Sequence, residues 1–161
     1  VYPFPYRELV RLEAREWGLD PLYLAALIRQ ESAFLAGARS GAGAMGLMQV
    51  IPSTGRGLAR QAGMEPFREA LLLDPEVNLH LGASFLSRLG ERFDGRTPLV
   101  LAAYNAGPTR ARRWESAFPE VEDPLRFTER IPYRETRGYV KRVTRNLELY
   151  RWLYGPEEQT G

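Results

Sequence analysis

The stretch Asp20-Pro21-Leu22-Tyr23-Leu24-Ala25-Ala26-Leu27-Ile28-Arg29-Gln30-Glu31-Ser32 reads as a helix that ends on an acid. Asp20 is a good N-cap, because its side chain can accept from the orphan N–H groups of a first turn. Pro21 suits the first helical position, where no N–H is needed. Leu24, Leu27, Ile28 and Glu31 then fall at i, i+3, i+4 and i+7, one face of that helix. The face is apolar until Glu31. A carboxylate against a dry wall is disfavoured relative to its neutral form, so Glu31 is expected to hold its proton more tightly than usual. An acid that stays protonated near neutral pH can serve as a general acid. The competing reading is a solvated glutamate, or one paired with Arg29 or Arg39.

Downstream, Ser40-Gly41-Ala42-Gly43-Ala44-Met45-Gly46-Leu47-Met48-Gln49-Val50-Ile51-Pro52 is too rich in small residues for a normal core layer. It suits a close backbone turn with room beside it. Ser40 and Gln49 can hydrogen-bond a polar ligand there, and Met48 can pack on it. A glycine-rich loop with no ligand is the plain alternative.

A chain of 161 residues, 44% apolar and 26% charged, has the size and balance of one soluble globular domain. We therefore expect residues 1–161 to form a single domain, with 1–5 as an extended lead-in and 155–161 as a polar, frayed tail. No apolar run approaches the roughly 20 residues of a membrane span. Val1, with neither initiator Met nor signal peptide before it, suggests a processed or excised chain. Cysteine is absent, which excludes disulfides, a thiol nucleophile and cysteine-ligated metals. His80 is the sole histidine; it argues against His-based triads and most zinc sites, and it reads as a packing or surface residue. Net charge is +2 with a pI of about 9.1, and Lys141 is the only lysine among the basic residues. A weakly basic surface suits an anionic polymer. Nucleic acid is the rival partner, but no binding motif for it is present.

The remaining pattern is helical. Tyr6 to Trp17, with Leu9, Val10, Leu12 and Trp17 among charges, reads as an amphipathic helix stopped by Gly18. A short helix is expected near 53–62, capped by Ser53 or Thr54, followed by irregular chain over 63–73 with room for one helical turn. Asp74-Pro75-Glu76 repeats the cap signature and opens a helix to about Phe93, with Val77, Leu81, Phe85 and Leu89 inward. Leu99 to Asn105 is an apolar helix stopped by Gly107-Pro108, and Arg110 to Ala117 forms a short one. Residues 118–133, with three prolines, read as loop. A last helix over about 134–153 places Val140, Val143, Leu147 and Tyr150 on one face. Arg134, Arg137, Lys141 and Arg145 form a stripe on another, read as a solvated face in preference to a glycan-binding one. No alternating strand pair is evident, so the class is mainly α with little or no sheet.

Three groups of residues, in this order, carry a resemblance: Glu31-Ser32; Gly46-Leu47-Met48-Gln49 with Pro52 and Thr54; and Ala103-Tyr104-Asn105-Ala106-Gly107-Pro108. Together they resemble the signature motifs of the lytic transglycosylase catalytic domain, the lysozyme-like module of the soluble lytic transglycosylases. Ile131-Pro132-Tyr133-Arg134-Glu135-Thr136-Arg137-Gly138-Tyr139-Val140 is similar to a segment of the Slt-type branch. The likeness runs from about Tyr6 to Tyr150. Gly55 departs from it, since alanine is more usual there, and no chemical consequence is expected.

The resemblance implies a lysozyme-like α-helical domain with a substrate cleft between its halves. It implies cleavage of peptidoglycan between N-acetylmuramic acid and N-acetylglucosamine, leaving a 1,6-anhydromuramoyl end. Glu31 would be the single acid and base; Ser40, Met48, Gln49, Ile51, Tyr104, Asn105 and Glu135 would bind substrate. Tyr104 would hydrogen-bond Glu31 or orient the N-acetyl group, unless it is a core tyrosine, and Asn105 would shape the site, unless it merely caps a helix. No metal or organic cofactor is implied. The expected setting is the periplasm or cell envelope, as a monomer on glycan strands. A hydrolase of the same fold and a non-catalytic wall-binding module are the alternatives.

Overall fold

The computed structural model describes residues 2–119 and 123–158, and the described chain is mainly α. Its elements are α1 (Arg7–Glu16), α2 (Pro21–Ser32), α3 (Pro52–Gln61), a 3-10 helix (Glu69–Leu73), α4 (Pro75–Arg92), α5 (Thr97–Ala106), α6 (Pro108–Ala117), α7 (Pro124–Arg130) and α8 (Arg134–Glu158). Among the described residues there is no strand, only the isolated bridges Arg39–Met45 and Met45–Val50. The chain forms two compact units, Val1–Phe85 with Asn146–Gly161, and Leu86–Arg145. It passes into the second within α4 and leaves it within α8.

In the first unit α2 is the central element. Asp20 caps it, accepting from Leu22 N at 2.8 Å. Leu24, Ala25, Ala26, Leu27 and Ile28 are all 0% exposed, so α2 is buried around most of its circumference. On α1, Val10, Glu13 and Ala14 are buried, while Leu12 is 58% exposed. Residues 10, 13, 14 and 17 share one helical stripe and residue 12 lies off it. The stripe tolerates an acid because Glu13 Oε2 lies 3.0 Å from His80 Nδ1, and Trp17 meets the same imidazole edge-on.

The lead-in is fastened to the end of α8. Tyr150 Oη donates to Pro3 O at 2.7 Å and Tyr154 Oη to Tyr2 O at 2.9 Å. Phe4 meets both tyrosine rings edge-on. These contacts carry α8 to Glu158, so residues 155–158 are helical and not a frayed tail; 159–161 lie outside the described residues. In α3, Pro52 takes the first helical position and Ile51 is the cap residue, which places Ser53 and Thr54 inside the first turn and not at the cap. At Gly55 a Cβ would lie 3.1 Å from Leu72 Cδ2, so the missing methyl leaves room for a buried leucine.

In the second unit Leu99, Val100, Leu101, Ala102 and Ala103 of α5 make the core. The expected loop over 118–133 contains α7, a correction. Asp123 accepts from Leu125 N and Arg126 N at 2.8 and 2.9 Å, the same Asp-Pro start that opens α2, and buried Phe127 anchors the short helix. Residues 120–122 of that loop lie outside the described residues.

Candidate active site

α2 delivers Glu31 to the end of its buried face. Leu24, Leu27 and Ile28 beneath it are fully buried, and Glu31 itself is half-buried. Of the two arginines considered as partners, Arg29 lies over the Tyr2 ring at 4.9 Å, and Arg39 Nη1 is 3.8 Å from Met45 Sδ. The next residue, Ser32, is buried, and its Oγ donates to Leu47 O at 2.7 Å. The helix end that carries the acid is thereby tied to the glycine-rich turn.

That turn is built from its own backbone. Met45 and Val50 exchange N–H···O bonds, and Gly46 N donates to Ala38 O. Gln49 sits at φ 51°, and its Nε2 donates to Ala38 O at 3.2 Å and to Gly46 O at 3.0 Å. With both amide hydrogens given to the turn, Oε1 is the Gln49 atom suited to accept from a ligand. Ser40 is exposed; its Oγ accepts from Ala44 N at 3.0 Å, which shapes the tip. Ile51 is 49% exposed. Met48, expected to pack on a ligand, is instead 0% exposed. Its side chain packs on α4, where a Cβ added to Gly82 would lie 2.4 Å from Met48 Sδ. It supports the turn from beneath.

In the second unit Tyr104 is half-buried on α5. Asn105 Oδ1 accepts from Thr136 Oγ1 at 2.8 Å, so Asn105 ties α5 to the first turn of α8. Glu135, beside Thr136, is exposed. Of the basic stripe, Lys141 pairs with Glu129 and Arg137 Nη1 donates to Ile131 O at 3.0 Å, contacts within the protein itself.

Sequence reasoning missed Asn78. It is 0% exposed, yet it hydrogen-bonds to Met45, Leu72 and Met48. An amide on an otherwise apolar stretch of α4 was the available signal, because a buried amide needs partners. An open depression of about 380 Å³ lies along α1 and its turn into α2, and none of the expected site residues lines it. Among the described residues no group of three or more acids and histidines could hold a metal ion, and no helix is long and apolar enough to cross a membrane.

Comparison with known proteins gives consistent relatives. Over 158 residues the chain is 36% identical to the soluble lytic murein transglycosylase of Salmonella typhimurium, covering 98% of this chain and 24% of that one. It is 30% identical to the membrane-bound lytic murein transglycosylase C of Cronobacter sakazakii, across 91% of this chain and 46% of the relative. Among solved structures, an inactive glutamate-to-glutamine mutant of the lytic transglycosylase Slt from Pseudomonas aeruginosa superposes with a TM-score of 0.87 at 37% identity, covering 96% of this chain and 25% of that one. The 70 kDa soluble lytic transglycosylase of Escherichia coli gives 0.90 at 35%, with the same coverage of 96% and 25%. The chain thus spans about a quarter of the length of the soluble relatives it matches. The family model described as the Transglycosylase SLT domain matches residues 8–126. With most of its length inside that match, this chain belongs to the transglycosylase SLT domain family.

Proposed function

We propose that this chain is a peptidoglycan lytic transglycosylase that works with Glu31 as its only acid and base. The observation that supports this most is the placement of Glu31: it ends a helix whose face is otherwise fully buried, beside a turn tied to it through Ser32. Family membership supports peptidoglycan as the substrate class. Glycoside cleavage usually takes two carboxylates, and substrate assistance is a recognised exception.

In the proposed cycle, protonated Glu31 gives its proton to the glycosidic oxygen as the C1–O bond of the muramoyl residue breaks. The substrate's N-acetyl group steadies the cationic C1. Glu31, now a carboxylate, takes the proton of the muramoyl 6-hydroxyl as O6 bonds to C1. Glu31 ends protonated, as it began, and no water is consumed. Ser40, Gln49 and Ile51 are assigned to sugar contact in the first unit, and Tyr104, Asn105 and Glu135 in the second; Met48 acts from below. We further propose that residues 1–161 act as one catalytic domain, monomeric and in the cell envelope, and that the cycle needs no cofactor.

The test is mass spectrometry of fragments released from purified sacculi. Wild type is expected to release muropeptides whose muramoyl end is one water lighter than a hydrolysis product. Glu31→Gln is expected to keep the fold and lose turnover. Products that have gained water would indicate a hydrolase, and wall binding without released fragments would indicate a binding module. Substantial lysis by pure Glu31→Gln would remove Glu31 from the mechanism.

A further inference from the structure

Asn78 and Gly82 stand four residues apart on α4, hence on one face and one turn apart. On that face they form a seat for the glycine-rich turn. Asn78 Nδ2 donates to Met45 O and to Leu72 O, each at 2.8 Å, and Asn78 Oδ1 accepts from Met48 N at 2.7 Å. These use the amide's two donors and its acceptor, in a site with 0% exposure. One turn on, the bare Cα of Gly82 admits Met48. The turn itself has been cleared to let the amide in, since a Cβ at Gly46 would lie 2.3 Å from Asn78 Nδ2.

The seated segment, 45–48, has a second attachment. Leu47 O accepts from Ser32 Oγ, and Ser32 follows Glu31 directly. Asn78 and Ser32 therefore grip the same few peptide units from opposite sides, one from α4 and one from the end of α2. Gln49 follows that segment immediately, and its Nε2 is bonded to Gly46 O, itself within the gripped stretch.

We propose that Asn78 is a positioning residue: through segment 45–48 it sets the register between Gln49 and the Glu31-bearing end of α2. The inference rests on the reading of Glu31 as the acid and Gln49 as a sugar contact. A neutral amide fits this task better than any charged group. Aspartate has the same shape and keeps the acceptor for Met48 N. It lacks both donors, so two buried carbonyl oxygens would lose their partner and an anion would sit in a dry site.

The experiment compares Asn78→Asp, Ser32→Ala, the double variant and Tyr150→Phe with wild type, all at a temperature where each is folded. Tyr150→Phe is the control: it breaks a part-buried hydrogen bond in the same unit, to Pro3 O of the lead-in and not to a group of segment 45–48. Readouts are kcat and KM on purified glycan strands, and amide exchange at Met48 and Gln49 against Leu27. Misplacing a catalytic constellation by about 1 Å costs on the order of 10²-fold. Asn78→Asp is expected to lower kcat by about that factor and raise KM, with faster exchange at Met48 and Gln49 and unchanged exchange at Leu27. Ser32→Ala is expected to fall about tenfold. Because both grips hold one segment, the double variant should be no slower than Asn78→Asp alone. Tyr150→Phe is expected to keep wild-type kcat and KM.

Wild-type kcat and KM in folded Asn78→Asp, or full additivity of the two grips, overturns the proposal. If Asn78→Asp does not fold, Ser32→Ala decides: wild-type kinetics there overturns it, and a selective loss with local exchange supports it. A wild-type chain that releases no fragments refutes the functional reading instead, and is recognised before any variant is made.

Discussion

The seat of the glycine-rich turn and the α7–α8 edge are both polar attachments, made by opposite means. At the seat, a neutral amide with 0% exposure makes three hydrogen bonds to backbone groups, none of which water can reach to replace it. At the edge, Lys141 pairs with Glu129, and their side chains are 51% and 62% exposed. Water competes for both members of that pair. Full charges there hold less than a neutral amide does in the core, because the alternative to a buried bond is an orphaned group, whereas the alternative to a surface pair is hydration. Charge is therefore a poor guide to which polar residues this fold depends on.

The sharpest way to break the comparison is Gly46→Ala. The new Cβ would lie 2.1 Å from Leu72 O, a backbone atom, and 2.3 Å from Asn78 Nδ2, at φ 79°. Neither neighbour can withdraw without giving up its own bond. A loss of more than about 4 kcal/mol, or failure to fold, is expected in urea unfolding. A variant within about 1 kcal/mol of wild type would mean that the seat yields easily.

Gly82→Ala tests the other half of the seat and should cost less. Its Cβ would lie 2.4 Å from Met48 Sδ, the flexible part of a thioether, though also 2.8 Å from Met48 Cβ. Overpacking costs about 1–3 kcal/mol. The gain in helix propensity over glycine returns about 1 kcal/mol. The net expectation is a loss of about 0–2 kcal/mol by the same measurement, well short of Gly46→Ala. Equal losses at the two glycines would show that Met48 is held as rigidly as backbone.

How far the sequence revealed this follows from which signals are local. The Asp-Pro starts at Asp20 and Asp74 were legible because cap, proline and apolar period lie within one helix turn. The same signature at Asp123 is masked by the neighbouring prolines, which point to loop. The end of α2 at Glu31 and the tight turn after it are legible locally, the first from its helix period and the second from its glycines. Asn78 shows locally only as an amide in an apolar stretch of α4; what it does depends on Met45 and Met48, which are 33 and 30 residues distant. The burial of Met48, expected to pack on a ligand, is hidden for the same reason: Gly82, against which it packs, belongs to another helix.

The smallest expected effect lies at the edge. Lys141 beside Glu129 holds that carboxyl below its ordinary range, chiefly through their hydrogen bond. An acid whose folded value is lowered contributes stability above its unfolded value, and that contribution is lost as pH falls through the lowered one. The sign predicts stabilisation at neutral pH and its loss in acid. The magnitude decides the outcome, since both groups stand in water, where the pair is screened by salt and its attraction is offset by side-chain entropy. Glu129→Gln should therefore leave the calorimetric Tm unchanged at pH 7 in physiological salt, and its Tm should follow wild type as pH is lowered. A clear drop in Tm for Glu129→Gln at pH 7, absent at pH 3, would show that this exposed pair holds α7 against α8 after all. The contrast between a dry amide and a wet ion pair would then fail at its weaker end.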